Sequence, residues 1–270
     1  MNALWIITVF VVVEDVMQSL GHQSHKLAQV SDAEVLTVAI VAAQYFQNHH
    51  ERALCLMRQT GYLSKPLSVS RFNRRVHALA EWLPFIADTL AALFTQGDVF
   101  VIDSMPIPVC KRKRARRCRK VRGRIYCGYC AAKAEKFFGW RLHLICRPDG
   151  QPVSFTLLPA SLHDLTPVHE LTVSLPAGAK VFGDKGYVGA PEAQSILDTG
   201  GVRLIAQPRD NMQPLAWWDE CELRLYRHTI ETVNSQFEKM GVERLYARTN
   251  DGILVKVHAS IIALAFTNLD

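Results

Sequence analysis

Hydrophobic positions in the first third of the chain recur at helical spacing. Apolar residues come every three or four positions in 33–45 and 76–94, which favours amphipathic helices over strands. The apolar run 4–13 is too short to span a bilayer and lacks the basic start and small-residue end of a signal peptide. We therefore interpret it as a buried helix, and predict an all-helical region over residues 1–95 of a cytoplasmic protein with no membrane partner.

From residue 96 the pattern changes to strands that alternate with helices. Residues 99–102 are continuously apolar, as in a strand buried on both faces, and residues 137–158 alternate on both sides of a Pro-Asp-Gly turn, as in a hairpin. The pattern then predicts a helix from Thr166, a strand at 180–184, a helix at 191–197, a strand at 202–206 and a helix at 228–240. This order predicts an α/β domain over 96–270, with a mixed sheet and flanking helices.

The segment 68–79 carries basic residues on a predicted helix. Ser68 is a candidate cap, and Arg71, Arg74 and Arg75 follow it. This helix either reads DNA in the manner of a helix-turn-helix or is an amphipathic surface helix whose cations face water. The sequence favours neither interpretation.

Positive charge is concentrated in one tract. The net charge is +6, yet residues 111–124 contain ten Lys or Arg and no acid, so the other 256 residues carry −4. Such a tract neutralises phosphates and releases their counterions, which favours double-stranded DNA as a partner. The predicted DNA contacts in the tract are Lys111, Arg112, Lys113, Arg114, Arg116, Arg117, Arg119, Lys120, Arg122 and Arg124. The alternative is a solvated loop or a localisation signal, within an insertion at 111–136.

Three acids stand where rigid elements could bring them together. Asp103 directly follows the first predicted strand, Asp184 ends a later strand, and Glu231 lies beside the apolar stripe of the last predicted helix. Hydrolysis of a phosphodiester needs an activated water and a stabilised leaving oxygen, which two divalent metal ions can supply, and Mg²⁺ prefers carboxylate ligands. Each acid also has a plainer interpretation: a turn or cap for the aspartates, and an ion pair with Arg227 for Glu231.

Asp164 and the isolated histidines receive structural roles in this interpretation. Asp164 stands just before Thr166 and Pro167, which suits the cap of a helix that starts there. The histidines without metal-like spacing are His143, His163, His169 and His258.

The cysteines allow a second kind of metal site. Cys127 and Cys130 form a CxxC pair, and with Cys110 and Cys118 upstream they could supply four thiolates to a structural zinc ion. The alternative is a set of free thiols in a basic loop. The total of seven cysteines is odd and sparse, which fits a reducing compartment.

Several segments together resemble the DDE transposases of bacterial insertion sequences. The segments are FVIDSMPIPVC (100–110), FFGWRLHLICRPDGQPVSFTLLPASLHD (137–164), VFGDKGYVG (181–189) and RHTIETVNSQFEK (227–239), and SRFNRRVHAL (70–79) is similar to the region that precedes the catalytic domain. The resemblance implies an RNase H-like catalytic domain in which Asp103, Asp184 and Glu231 are catalytic and hold two Mg²⁺ or Mn²⁺ ions. It further implies nicking of transposon ends, attack of the freed 3′-OH on target DNA, and a nucleoid-associated homo-oligomer on DNA.

The resemblance also bears on the residues around the acids. The DNA contacts that it implies there are Lys185, Arg227 and Lys239. Two supporting positions depart from the family pattern: Arg224 stands where a Tyr is usual, with Tyr226 two residues later, and Glu238 stands where a Lys is usual. These departures affect contacts to the terminal phosphate and leave the three acids in place.

Two other functions fit the same residues. A non-catalytic nucleic-acid-binding protein would use the basic, cysteine-containing tract, bind without metal and tolerate Asp103→Ala. An RNase H-like nuclease would cut without joining. The basic insertion and the helical N-terminal region favour a transposase, because recognition of DNA ends needs surface beyond the active site.

Overall fold

The computed structural model describes residues 1–131 and 133–269. Ala132, within the predicted basic insertion, and Asp270, at the end of the predicted α/β domain, lie outside the described residues. The chain forms two compact units, one made of residues 1–90 together with the chain from residue 237 onward, and the other of residues 91–236. The chain after residue 236 therefore belongs to the unit of N-terminal helices, a membership that the hydrophobic pattern does not reveal.

The first unit is helical, which confirms the predicted helical N-terminal region. Its helices are α1 (Ala3–Ser19), α2 (Asp32–Phe46), α3 (His50–Gln59), α4 (Val69–Ala78), the greater part of α5 (Trp82–Phe94) and α9 (Asn250–Thr267). A capping box between Ser31 and Glu34 starts α2, and α2 packs against α1, α3, α4 and α9. By length and composition α9 could cross a membrane, but 72% of it is buried within the protein, as expected of a core helix.

The basic helix α4 is anchored to its own unit. Ser68 caps it, as predicted, by accepting a hydrogen bond from the Arg71 backbone N–H. Phe72 is buried, and the Arg75 guanidinium pairs with the Asp32 carboxylate at the start of α2. Of the three predicted basic residues, Arg71 and Arg74 are therefore the two that remain exposed.

The second unit is built on a six-stranded mixed sheet, which confirms the predicted α/β class. Its strands are β1 (Val99–Lys111), β2 (Cys127–Cys130), β3 (Glu135–Cys146), β4 (Pro152–Pro159), β5 (Lys180–Gly183) and β6 (Arg203–Ala206). Their order is β2-β3-β1-β5-β6, and β4 pairs with β3 in the predicted hairpin. β1 runs antiparallel to β3 and parallel to β5, and β5 runs parallel to β6.

Three helices accompany the sheet: α6 (Val168–Thr172), α7 (Ala190–Gly200) and α8 (Trp217–Lys239). The buried core joins Phe100 and Ile102 of β1 to Val168 of α6 and Ile196 of α7. Because side chains alternate along a strand, this face of β1 continues at Ser104, whereas Asp103 points to the opposite face. There Asn234 of α8 donates a hydrogen bond to Asp103.

Two elements are longer than predicted. β1 continues to Lys111 because Met105, Ile107 and Val109 alternate as buried residues beyond the apolar run that marked its start. α8 starts at Trp217 instead of residue 228, because Leu223 and Tyr226 extend the apolar stripe of Ile230 toward the N-terminus of the helix.

Gly139 on β3 offers a test of this strand pairing. A Cβ added there would lie 2.3 Å from the Ile107 carbonyl oxygen and 2.7 Å from the Val109 nitrogen, so the backbone of β1 would have to move. We expect Gly139→Ala to lower the free energy of unfolding by about 2 to 3 kcal/mol, measured by urea denaturation. Gly200→Ala is the control, because a Cβ there meets only a Val202 methyl at 3.9 Å. Equal stability of both variants and the wild type would contradict this register.

Candidate active site

Asp103 and Asp184 lie side by side where the parallel pairing of two strands ends. Ile102 of β1 is the register partner of Gly183 of β5, so the next residue of each chain segment is one of the two aspartates. β5 ends there, whereas β1 continues to Lys111, so Asp103 lies within its strand and Asp184 directly follows its own. The structure thus brings together two of the three acids that the sequence singles out.

Burial and neighbouring acids make the charged forms of Asp103 and Asp184 less favourable. Burial raises the pKa of Asp103 to about 6, and the charges of Asp184 and Asp164 add to the rise. Two hydrogen bonds oppose it: the Ser104 N–H donates to Oδ1 at 2.7 Å, and the Asn234 amide donates to Oδ2 at 2.7 Å. Burial, followed by the charge of Asp164, also raises the pKa of Asp184, although the Gly186 N–H donates to its Oδ1 at 2.9 Å.

Asp164 belongs to this site, and its predicted role as a helix cap is wrong. The residue that caps α6 is Pro167, which makes no side-chain cap hydrogen bond. Asp164 Oδ1 instead accepts a hydrogen bond from Ser104 Oγ at 3.0 Å and one from Arg141 at 3.3 Å. Its Oδ2 lies beside Gly186: a Cβ there would be 2.8 Å from this oxygen and 3.0 Å from Asp184 Oδ1.

Tyr187 is buried near the same acids. Burial, followed by the charges of Asp103, Asp164 and Asp184, raises the pKa of Tyr187 well above its ordinary value. Asp164 and Asp184 also both lie beside Gly186, the residue before this tyrosine.

The polar face of β3 is covered by this group. The Arg141 side chain is only 18% exposed, and His143 is fully buried, which agrees with the structural role predicted for this histidine. His143 Nδ1 lies 3.9 Å from Asp164 Oδ1. Burial lowers the pKa of His143 to about 4, so its ring is neutral near pH 7. The sequence analysis assigned Arg141 no function, although it alternates with apolar residues on β3.

Glu231 faces solvent and pairs with basic side chains of its own helix. Its side chain is 61% exposed, and its carboxylate pairs with Arg227 Nε at 3.4 Å and with His228 Nδ1 at 3.8 Å. Asn234, one helical turn later on the same face of α8, contacts Asp103. The sequence analysis assigned Asn234 no function.

The donor chemistry of the site suits a hard divalent cation. Asp103 and Asp184 offer carboxylate oxygens whose charges repel each other, and a cation between acids of this kind would relieve that repulsion. Within residues 1–131 and 133–269, no group of three or more His, Cys, Asp or Glu side chains is already arranged to hold a metal ion.

The four cysteines predicted as zinc ligands are among the described residues, and they form no such metal-binding group. Cys127 and Cys130 lie three positions apart in β2, and a strand directs such residues to opposite faces. Cys110 and Cys118 lie close enough to interact, and burial, followed by the neighbouring thiol, raises the pKa of Cys110 to about 11. The geometry therefore favours the alternative of free thiols.

The basic tract follows directly from the strand that carries Asp103. β1 ends at Lys111, and the tract continues through short 3-10 turns at Arg112–Arg117 and Arg124–Tyr126. All of its Lys and Arg residues are exposed except Lys120, which is partly buried. The Arg141 guanidinium, which bonds to Asp164, also donates to the Tyr129 carbonyl oxygen of β2 at 3.0 Å. One side chain thus connects the acids to the strand that follows the tract.

The other predicted DNA contacts are paired or exposed on the surface. Lys185 pairs with Asp210 at 2.8 Å, and Arg227 pairs with Glu231 while its charge lowers the pKa of Asp184. Lys239 is exposed at the end of α8.

The raised pKa of Asp103 predicts a pH-dependent gain in stability when its charge is removed. Between its ordinary value of 3.8 and about 6, the folded state binds more protons than the unfolded state, so this group lowers stability as pH rises. We expect Asp103→Asn to stabilise the metal-free protein by roughly 1–3 kcal/mol at pH 7.5, and by less at pH 4.5. The Asn234 amide can rotate to accept a hydrogen bond from the new side chain. Urea denaturation in EDTA at both pH values measures the difference, and a loss of stability at pH 7.5 would contradict the prediction.

Comparison with known protein families places this site within a recognised domain. A family model described as "Transposase DDE domain" matches residues 94–247, which is more than half of the chain. The match spans both aspartates, Asp164, Glu231 and the basic tract. No curated protein and no solved structure matches the chain.

Proposed function

Because this chain belongs to the DDE transposase family, we propose that it cuts DNA at the ends of a bacterial insertion sequence and joins the freed 3′-OH to target DNA. The observation that carries this proposal is that Asp103 and Asp184 lie side by side where the parallel pairing of β1 and β5 ends, on a strand that leads into a basic tract. DDE transposase domains generally use divalent metals, and the two aspartates have the hard oxygen donors that Mg²⁺ or Mn²⁺ prefers.

Two such ions, when bound, would activate the attacking oxygen and stabilise the leaving oxygen. Asp103 and Asp184 would hold them, with Glu231 as the third acid that the family resemblance implies. Asn234 fixes the Asp103 carboxylate through its hydrogen bond to Oδ2, and the Ser104 N–H fixes Oδ1. The chain thus orients one carboxylate from both sides before substrate arrives.

The proposed partner is double-stranded DNA, both transposon ends and target. The exposed cations of residues 111–124 would neutralise its phosphates, and Lys185 and Arg227 would contact the strand near the acids. Lys239 is a further proposed DNA contact. Joining paired ends requires more than one active site, so we propose a homo-oligomer on DNA, associated with the nucleoid in the cytoplasm.

The test uses purified protein and a labelled duplex that carries the sequences flanking its gene. Nicking and strand joining are followed with Mg²⁺ or Mn²⁺ for the wild type and for Asp184→Ala. Metal-dependent nicking and joining, both lost in the variant, are expected. Nicking without joining would indicate an RNase H-like nuclease instead. Binding without cleavage by either protein would indicate a non-catalytic nucleic-acid-binding protein.

A further inference from the structure

Asp164 lies beside Asp184 and contacts polar side chains of β1 and β3. Its Oδ1 accepts hydrogen bonds from Ser104 and Arg141, and its Oδ2 lies next to Gly186, against which Asp184 Oδ1 also lies. We infer that Asp164 is an outer carboxylate of the cation site, which raises divalent-cation affinity by its charge while Asp103 and Asp184 supply the direct ligands. This inference rests on the proposed function.

The charge balance of the group favours a cation of charge +2. Three carboxylates form the group: Asp164 and Asp184 both lie beside Gly186, where a Cβ would be 2.8 Å from Asp164 Oδ2 and 3.0 Å from Asp184 Oδ1, and Asp103 is next to Asp184 where the parallel pairing of β1 and β5 ends. The guanidinium in hydrogen-bond contact with the group is Arg141, whose charge offsets one of the three. Fully ionised, the four groups carry a net charge of −2, and a divalent cation would neutralise it.

A second observation points to the same place. His143 is fully buried on β3, and among the described residues neither ring nitrogen has a hydrogen-bond partner, although Nδ1 lies 3.9 Å from Asp164 Oδ1. A buried imidazole without partners is costly, and its Nδ1 faces the Asp164 carboxylate. Arg141 Nε is likewise buried and has no partner within the described parts of the chain. Buried nitrogen atoms of His143 and Arg141, next to Asp164, are therefore available for further hydrogen bonds.

Asp164 would raise the affinity of the site for a cation through its negative charge. Outer carboxylates orient the direct ligands of a metal and strengthen their affinity for it, and their removal typically weakens binding by roughly 10- to 100-fold. Asp164→Asn keeps the shape of the side chain and an oxygen that can accept from Ser104 and Arg141, but it removes the charge. Asp164→Glu keeps the charge. Asp198→Asn, at an exposed acid of α7, removes the same charge outside the site.

The experiment is a titration of the full chain with Mn²⁺ in the absence of DNA, with free Mn²⁺ followed by electron paramagnetic resonance. We expect Asp164→Asn to weaken Mn²⁺ affinity roughly 10- to 100-fold, and Asp164→Glu and the control Asp198→Asn to stay within about threefold of the wild type. Thermal unfolding by circular dichroism without metal checks that each variant is folded.

The outcomes separate this inference from the function on which it rests. Wild-type affinity in Asp164→Asn, together with loss of Mn²⁺ binding in Asp184→Ala, would overturn the role of Asp164 and leave the proposed function standing. Equal weakening in Asp164→Asn and Asp164→Glu would also overturn it, because the position and not the charge would then matter. No Mn²⁺ binding by the wild type, combined with no metal-dependent cleavage, would remove the proposed function itself.

Discussion

Asp184→Asn is expected to reduce metal-dependent DNA nicking by at least roughly 1,000-fold, because charge stabilisation by bound metal ions contributes several kcal/mol to such a reaction. Asp184 is at the carboxyl end of β5, next to Asp103, and Asn is a much weaker ligand for a hard cation. DNA affinity should stay within about threefold of the wild type, since phosphate contacts come mainly from exposed cations. The two measurements are single-turnover nicking of a labelled duplex and fluorescence anisotropy with the same DNA.

The matched control is Asp198→Asn. Asp198 is an exposed acid on α7 that accepts a hydrogen bond from Gln194, and its substitution removes the same charge without touching the site. We expect this variant to nick DNA at the wild-type rate. If Asp184→Asn kept metal-dependent nicking, Asp103 and Asp184 would not be the catalytic residues.

Neutralising the first turn of the basic tract should produce the second large effect, on DNA binding. Arg112, Lys113, Arg114, Arg116 and Arg117 are all exposed in the 3-10 segment that follows β1. Replacing all five with Gln should weaken binding roughly 100-fold or more at moderate salt, and should reduce the slope of log affinity against log salt by about 4 to 5. The slope measures the number of phosphates neutralised, so it separates lost ionic contacts from misfolding.

Arg52 and Arg58 of α3 provide the control for that variant. Both are exposed cations in the helical unit, and their replacement with Gln changes net charge without altering the tract. We expect little change in the salt slope. If the variant with five substitutions kept the wild-type slope, the tract would be a solvated loop, and the exposed Arg71 and Arg74 of α4 would become the first alternative.

The strands and the two aspartates were predictable because their signals are local. A continuous apolar run marks the buried start of β1, and alternation marks the β3–β4 hairpin. The apolar pattern also places Asp184 at the end of β5, whereas Asp103 was predicted to follow its strand and lies within β1. The parallel pairing that places Asp103 beside Asp184 then follows from ordinary α/β topology.

The rest of the site was not predictable because it depends on contacts between distant segments. Asp164 has the local features of a helix cap, and only the register of β1 with β3 brings Ser104 and Arg141 against it. Glu231 and Asn234 share one helix face, and the periodicity that groups them cannot say which of them contacts Asp103. The CxxC motif was ambiguous in a similar way, because its metal-binding geometry requires a turn and the chain forms a strand there.

The central claim is that divalent cations held at Asp103 and Asp184 act on the scissile phosphate. The most direct test replaces one non-bridging oxygen of that phosphate with sulfur, in each stereochemical form, and compares cleavage in Mg²⁺ and Mn²⁺. Sulfur is a poor ligand for Mg²⁺ and a better one for the softer Mn²⁺. We predict that one form is cleaved slowly in Mg²⁺ and recovers in Mn²⁺. Equal cleavage of the sulfur- and oxygen-containing DNA in both metals would contradict a direct action of the cations on the phosphate.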